Sequence, residues 1–207
     1  MFQLFVEGRG ENKAGQKLVH KIIHHYQLGE YFFSEGRRIP NIHTNDGLRT
    51  AVQFATLDPR TEGVLILRDD EDNCPKEKAP KIADFLRSLK MPFPIAYCIL
   101  YREFETIFVA YAKELAGKKI QHVVKGTLQF SDEIPEVNPE DIRGAKEWIT
   151  RCLLNGRAYK PTIDQLTLTQ AIDVEKMLKI DLPSFGTLTR CVIHLIKNRN
   201  TGLVYPD

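Results

Sequence analysis

The sequence predicts an α/β protein with a mostly parallel sheet flanked by helices and a C-terminal helical extension. One observation behind this prediction is that short apolar runs of strand length alternate with segments whose apolar residues recur at helical spacing. A second is that runs such as Val64-Leu65-Ile66-Leu67 are continuously apolar, which is typical of strands buried on both faces.

The predicted strands and helices of the first 115 residues alternate along the chain. The strands are 2–6, 64–67 and 95–101, and the helices are 12–28, 48–55, 76–89 and 104–115. Asp58-Pro59, Pro92 and Gly117 mark helix ends, because proline and glycine interrupt helical hydrogen bonding. Such alternation implies right-handed crossovers that place helices on both faces of a parallel sheet.

The pattern changes beyond about residue 130. Pro135 and Pro139 interrupt the chain, and helical spacing then recurs near 139–154, 163–178 and 184–197. We therefore expect a first domain at residues 1–130 and a helical extension at 131–207 that packs on it.

Composition excludes several classes of protein. Lys and Arg number 29 against 27 Asp and Glu, and hydrophobic residues make up 43% of the 207 residues, so the chain is not disordered, collagen-like or coiled-coil. No apolar run approaches the roughly 18 residues of a membrane helix. The start lacks the features of a signal peptide, and the four cysteines form no C-x-x-C pair. We expect a cytoplasmic protein with reduced thiols and no membrane contact.

Acidic residues follow three successive predicted strands. They are Glu7, then the run Asp69, Asp70, Glu71 and Asp72, then Glu103 and Glu105. The carboxyl ends of parallel strands meet at one edge of a sheet, which is where ligands bind in open α/β folds. Converging carboxylates repel one another unless a divalent cation lies between them, and oxygen ligands favour Mg²⁺ or Mn²⁺.

An alternative explanation is that these acids are solvated turn residues or helix caps. Asp72 or Asn73 would suit the N-terminus of the helix that starts near Lys76. A turn gains nothing from four adjacent like charges, however, so the run at 69–72 favours the metal site.

Two segments resemble motifs of the Toprim fold, the metal-binding domain of topoisomerases, primases and OLD-type nucleases. Residues 5–11, FVEGRGE, resemble its V-E-G-x-x-E opening, and residues 67–75, LRDDEDNCP, resemble its aspartate-rich motif. The chain resembles more closely a family of small standalone Toprim-like proteins, long filed as a domain of unknown function and commonly encoded beside an ABC/AAA-type ATPase. Further matching features are 102–105 (REFE), 159–161 (YKP), Asp164-Gln165 and 183–185 (PSF).

The resemblance implies that residues 1–130 form a Toprim-like catalytic domain that hydrolyses phosphodiester bonds. A topoisomerase would need a tyrosine nucleophile on a separate large domain, for which 207 residues leave no room. No nucleotide-binding segments typical of a primase are evident, so a nuclease is the activity that the resemblance favours. Glu7 would be a metal ligand or general acid–base. The acids at 69–72 would be metal ligands, either as the pair Asp69/Glu71 or as the pair Asp70/Asp72. We prefer Asp69 as the first ligand because it directly follows the predicted strand, and Glu71 would also be catalytic.

Other residues are candidates for a second metal position or for substrate contacts. Only one of Glu103 and Glu105 can readily face the metal, since residues two apart do not share a helix face, and Glu103 is favoured because it lies nearer the strand end. Arg68 and Arg102 would contact phosphate or form structural ion pairs. The remaining substrate candidates are Glu11, Lys118, Lys119, His122, Lys125, Tyr159 and Lys160. The stretch of lysines around residue 120 fits a solvated loop equally well.

The sequence therefore predicts a Mg²⁺- or Mn²⁺-dependent nuclease that acts on DNA or RNA with a partner ATPase, by analogy in defence against phage. One alternative is a non-catalytic subunit that binds nucleic acid or the ATPase through the acidic pocket. Another is a phosphatase or nucleotide hydrolase. Outside residues 69–72 there are 29 basic residues against 23 acidic ones, which favours a polyanionic partner. The oligomeric state does not follow from the sequence.

Overall fold

The computed structural model describes residues 1–70, 73–122, 126–154 and 156–206. In these residues the strands are β1 (Phe2–Val6), β2 (Arg37–Arg38), β3 (Gly63–Asp70), β4 (Ile95–Tyr101), β5 (Lys119–His122), β6 (Gly126–Gln129) and β7 (Val204–Tyr205). The helices are α1 (Glu11–His25), α2 (Asn45–Thr56), α3 (Pro75–Ser88), α4 (Thr106–Leu115), α5 (Ala145–Cys152), α6 (Pro161–Ala171), α7 (Val174–Met177) and α8 (Pro183–Lys197), with a 3-10 turn at Pro139–Asp141.

Five strands form one parallel sheet in the order β2-β1-β3-β4-β7. Val6 of β1 pairs with Leu67 of β3, and Leu67 pairs with Cys98 of β4, so these strands run in register. Strands β5 and β6 form a separate antiparallel hairpin. The α/β fold class predicted from the sequence is confirmed, and the carboxyl ends of β1, β3 and β4 lie at one edge of the sheet.

The sheet has an apolar core on each face because alternate strand residues point to opposite sides. Leu65 and Leu67 of β3 pack in the cluster that contains α1 and α8, whereas Val64 and Ile66 pack in the cluster that contains α2 and α3. Burial on both faces explains the continuous apolar run in the sequence.

Strand β3 is longer than the sequence predicts. Its pairing with β4 continues to Asp70, which pairs with Tyr101, and the Arg102 N–H donates to the Asp70 carbonyl at 3.1 Å. Asp69 and Asp70 therefore belong to the strand rather than to a turn after it. Their side chains consequently point to opposite faces of the sheet.

The C-terminal third is in close contact with the sheet. Helix α8 packs against β4, and β7 pairs with β4 through Val204 and Tyr205. The cluster on the α1 and α8 face contains residues from both sides of residue 130. The boundary between a domain at 1–130 and an extension at 131–207 stays a prediction.

Strands β2, β5, β6 and β7 are not anticipated by the sequence pattern. β2 and β7 have two residues each, too few to show an alternation of apolar and polar positions. In the part of the chain that is described, no helix has the length and apolar character needed to cross a membrane.

We expect Leu188→Ala in α8 to lower the free energy of unfolding by about 2–5 kcal/mol, since Leu188 is fully buried and its loss leaves a cavity. The matched control is Leu57→Ala, because Leu57 is 73% exposed and should change stability by less than about 0.5 kcal/mol. Urea unfolding of both variants measures the difference. Equal effects would contradict the packing of α8 in the core.

Candidate functional site

Four carboxyl groups meet at the carboxyl edge of the sheet. Glu7 directly follows β1, Glu11 begins α1, Asp69 lies near the end of β3, and Glu105 precedes α4. Asp69 interacts electrostatically with the other three. We call these four residues the acidic cluster.

Glycines let the chain approach the cluster closely. A Cβ on Gly8 would clash with Oε1 of Glu11, and a Cβ on Gly10 would clash with Oε1 of Gln165. A side chain at position 8 would displace the Glu11 carboxylate, and one at position 10 would also press on the Pro161 carbonyl, 3.0 Å away. The glycines of the FVEGRGE segment thus have a steric role in the site.

Burial dominates the acid–base properties of the cluster. Burial raises the pKa of Glu11 to about 7; the Gly8 N–H partly opposes this, and the charges of Glu105 and Glu7 add to it. Burial also raises the pKa of Asp69 well above its ordinary value, with Glu11 and Glu105 adding to the shift. Burial raises the pKa of Glu105 as well, although Lys146 opposes it.

Several buried oxygen atoms at this site have no hydrogen-bond partner. They are Oε2 of Glu7, Oε2 of Glu11, Oδ1 of Asp69 and Oε1 of Gln165. Buried polar atoms are normally partnered, so these oxygens need an explanation, and that of Glu7 has only an ion-pair contact, 3.5 Å from Nε of Arg68. An all-oxygen donor set is the kind that Mg²⁺ and Mn²⁺ bind.

Within the described ranges, no three His, Cys, Asp or Glu side chains are already arranged to hold a metal ion. The predicted ligands Glu71 and Asp72 lie outside those ranges. The acidic cluster thus has suitable ligand chemistry, but its side chains would have to rearrange, or the acids at 71 and 72 contribute, for an ion to be held.

Lys146 of α5 supplies a positive charge beside the cluster. Its ammonium forms an ion pair with Glu103 and lies 3.8 Å from Oε2 of Glu105. Burial would lower the pKa of Lys146, but the charges of Glu105 and Glu103 raise it instead. Sequence reasoning missed this residue, since a single lysine in an amphipathic helix carries no motif.

The two candidate acids before α4 have different surroundings. The sequence favours Glu103, whose Oε1 accepts from the Ala145 N–H at 3.3 Å and which pairs with Lys146. Glu105 is the one that interacts electrostatically with Asp69 and Glu11. The structure therefore places Glu105 in the acidic cluster and Glu103 beside it.

Tyr159 and Gln165 contact the cluster from the C-terminal third. The Tyr159 hydroxyl donates to Oε1 of Glu105 at 3.0 Å, and Nε2 of Gln165 approaches the same oxygen at 3.5 Å. Burial and the charge of Glu105 raise the pKa of Tyr159 well above its ordinary value. Lys160 is exposed, and its N–H donates to Oδ2 of Asp164 at 2.9 Å.

Asp70 lies on the opposite face of the sheet from Asp69 and is already paired. Its Oδ2 lies 2.6 Å from Nζ of Lys78 and 3.2 Å from Nη2 of Arg68. Burial would raise the pKa of Asp70, but hydrogen bonds from Lys78 and Asn73 lower it below its ordinary value. Arg68 also lies 3.5 Å from Oε2 of Glu7, so it connects this network to the cluster.

The remaining predicted substrate residues are spread over the surface. Arg102 has a positive φ of 70°, stacks on Tyr101 and donates from Nε to the Glu140 carbonyl at 3.0 Å. Lys118 and Lys119 are exposed at the start of the β5–β6 hairpin. Lys125 and the His122 side chain lie outside what the structure describes.

Fold and site together define an α/β protein with a buried acidic cluster at the carboxyl edge of its parallel sheet. Residues 6–191 match the family described as Domain of unknown function (DUF4276), and the protein belongs to this family. Comparisons with curated proteins and with solved structures found no match.

We expect the metal-free protein to lose stability as the pH rises from about 4.5 to 7. The unfolded chain releases the Glu11 proton near 4.5, whereas the folded protein keeps it to about 7, so the folded state binds more protons in this window. Glu11→Gln should reduce the loss by about 2 kcal/mol, because its amide does not ionise. Urea unfolding in EDTA at several pH values measures this.

The control for this prediction is Glu133→Gln, since Glu133 is exposed and distant in sequence from the cluster. Its stability curve should follow that of the wild type. A Glu11→Gln curve parallel to the wild-type curve would contradict a raised pKa at Glu11.

Proposed function

We propose that this protein is a Mg²⁺- or Mn²⁺-dependent nuclease of Toprim-like type that hydrolyses phosphodiester bonds in DNA or RNA. The observation that carries the proposal is the acidic cluster, where buried carboxyl oxygens from the ends of β1 and β3 lack hydrogen-bond partners. The resemblance of residues 5–11 and 67–75 to the two Toprim motifs supports it.

The charge of the cluster is the physical reason for a metal. Buried carboxylates that are ionised together destabilise a protein unless a cation neutralises them. Glu7 and Asp69, with Glu71 and Asp72 outside the described residues, are the proposed ligands, and Glu105 is a further one. A bound divalent ion would polarise the phosphate and lower the pKa of a water molecule.

Other residues of the chain have supporting roles in this proposal. Glu11, with a pKa of about 7, is suited to accept or release a proton near neutral pH. Tyr159 orients Glu105 through its 3.0 Å hydrogen bond. Arg68, 3.5 Å from Oε2 of Glu7, restricts the position of that carboxylate. The proposal thus separates groups that bind metal from groups that position them.

The biological setting is proposed from the resemblance alone. A partner ABC/AAA-type ATPase would control cutting, and the pair would act in bacterial defence against phage. We also propose a cytoplasmic location, where the four thiols Cys74, Cys98, Cys152 and Cys191 would stay reduced.

A second candidate function is a non-catalytic subunit that binds nucleic acid or the ATPase. The observation that favours it is Lys146, whose ammonium already neutralises part of the acidic charge next to Glu105. If Lys146 beside Glu105 and Arg68 beside Glu7 together balance the charge of the cluster, no metal is needed.

A cleavage assay tests the proposed nuclease. Plasmid, single-stranded DNA and tRNA are incubated with the protein in Mg²⁺, in Mn²⁺ and in EDTA, with and without the partner ATPase. We expect metal-dependent cutting that falls by at least about 100-fold in Glu7→Gln and in Asp69→Asn, because loss of a ligand should exceed the 10–100-fold effect of an outer-shell change.

The matched control is Asp84→Asn, since Asp84 lies on α3 with its side chain 76% exposed, and it should cut like the wild type. Cutting that survives both site substitutions would refute the site. No cutting with or without the ATPase would favour the non-catalytic subunit, and turnover of small phosphoesters alone would favour a phosphatase.

Removal of the Lys146 charge separates the two candidates. In EDTA, Lys146→Met should lower the free energy of unfolding by about 2 kcal/mol, because it leaves buried Glu103 and Glu105 without their ion pair. If the cluster binds metal, added Mg²⁺ should restore most of this stability.

The control is Lys113→Met, which breaks an exposed ion pair with Glu136 and should cost less than about 0.5 kcal/mol. Thermal and urea unfolding report both variants. An absence of Mg²⁺ rescue in Lys146→Met would support the non-catalytic subunit.

A further inference from the structure

Two arginines form the outer edge of the sheet beside the acidic cluster. Strand β2 consists of Arg37 and Arg38, which pair with Phe5 and Val6 of β1. β2 is the edge strand on this side, and Glu7 directly follows the residue that pairs with Arg38. Both side chains are exposed. The arginines therefore lie next to the carboxyl end of β1.

Contacts hold the side chains of Arg37, Arg38 and His43 in place near the carboxyl end of β1. Nε of Arg38 donates to the Glu7 carbonyl at 3.0 Å, and Nδ1 of His43 lies 3.9 Å from Oε1 of Glu7. The Arg37 guanidinium stacks on the Phe54 ring, 3.7 Å from its centroid. A stacked or singly bonded guanidinium keeps other N–H groups available, and it loses less freedom when it binds an anion.

The segment 36–44 contains two arginines and a histidine but no acid, and the exposed acids Glu35 and Asp46 lie on either side of it. Arg9 is also exposed, two residues after Glu7, and no ion pair to it is found in the described ranges. We call Arg9, Arg37, Arg38 and His43 the basic rim.

We infer that the basic rim binds the phosphodiester backbone of a nucleic-acid strand and places it across the acidic cluster beside Glu7. This inference rests on the proposed function and names the surface that its substrate uses. A polyanion is repelled by the carboxylate of Glu7, whose side chain is 39% exposed, so a positive surface beside Glu7 is needed to bring the polyanion close. Arginine suits this task because its planar fork of donors matches phosphate oxygens.

Protection of a sheet edge is another use of charged residues on edge strands. Edge protection needs only charge, however, and does not account for the contacts of Arg38 and His43 with Glu7. The exposed pair Lys118 and Lys119 lies instead on the separate β5–β6 hairpin. The two dipeptides therefore provide a direct comparison.

The experiment compares two double variants that lose the same charge. Fluorescence anisotropy measures the binding of labelled single-stranded DNA, duplex DNA and RNA in EDTA, for Arg37→Gln/Arg38→Gln and for Lys118→Gln/Lys119→Gln. We expect Kd to rise at least about tenfold in the arginine variant and less than about threefold in the lysine variant. The slope of log Kd against log salt should fall by about 1.4–1.8 only in the arginine variant.

Circular dichroism and thermal unfolding check that both variants fold, and Arg38→Lys tests the arginine fork with the charge kept. Equal losses in the two double variants, or none in the arginine variant, would overturn the inference. If the wild type cuts nucleic acid and the arginine variant binds it normally, the nuclease proposal is supported and the role of the basic rim is refuted. If nothing is cut but binding depends on the arginines, the role of the basic rim is supported and the nuclease proposal is refuted.

Discussion

Repulsion among carboxyl groups in a buried place is the constraint on which this site depends. Parallel pairing of β1, β3 and β4 brings their carboxyl ends to one edge, so Glu7, Asp69 and Glu105 must lie near one another. Burial weakens the screening of their charges and raises the pKa of both Asp69 and Glu105. The charge of such a site is balanced by bound protons, by a cationic side chain or by a metal ion. The stability of the protein therefore changes when one of these replaces another.

Strand alternation divides the acids of β3 between two environments. On the α2 and α3 face, the Asp70 carboxylate forms ion pairs with Lys78 and Arg68. Asp69 points to the other face, where the positive charge of Lys146 opposes the rise of its pKa. Two adjacent residues of one strand thus differ sharply: the Asp70 carboxylate is held in ion pairs, whereas Oδ1 of Asp69 has no hydrogen-bond partner.

The C-terminal third takes part in the site as well as in the core. Lys146 of α5, and Tyr159 and Gln165 around α6, all reach Glu105. Ser184 of α8 accepts from the Tyr101 N–H at 3.1 Å, at the end of the strand that precedes Glu105. The environment of this carboxyl group therefore depends on segments distant in the sequence.

The sequence by itself determined the α/β class, the β1 and β4 boundaries and the acids at the strand ends, because apolar runs and strand-end charges are local patterns. Only the tertiary structure decided that β3 includes Asp69 and Asp70 and that Glu105, not the favoured Glu103, interacts with Asp69. It also decided that Lys146 is the cation beside Glu105. The reason is that strand length and ion pairing depend on partners far along the chain. The role that we infer for the two arginines of β2 also depends on tertiary structure, because it follows from the pairing of β2 with β1 next to Glu7.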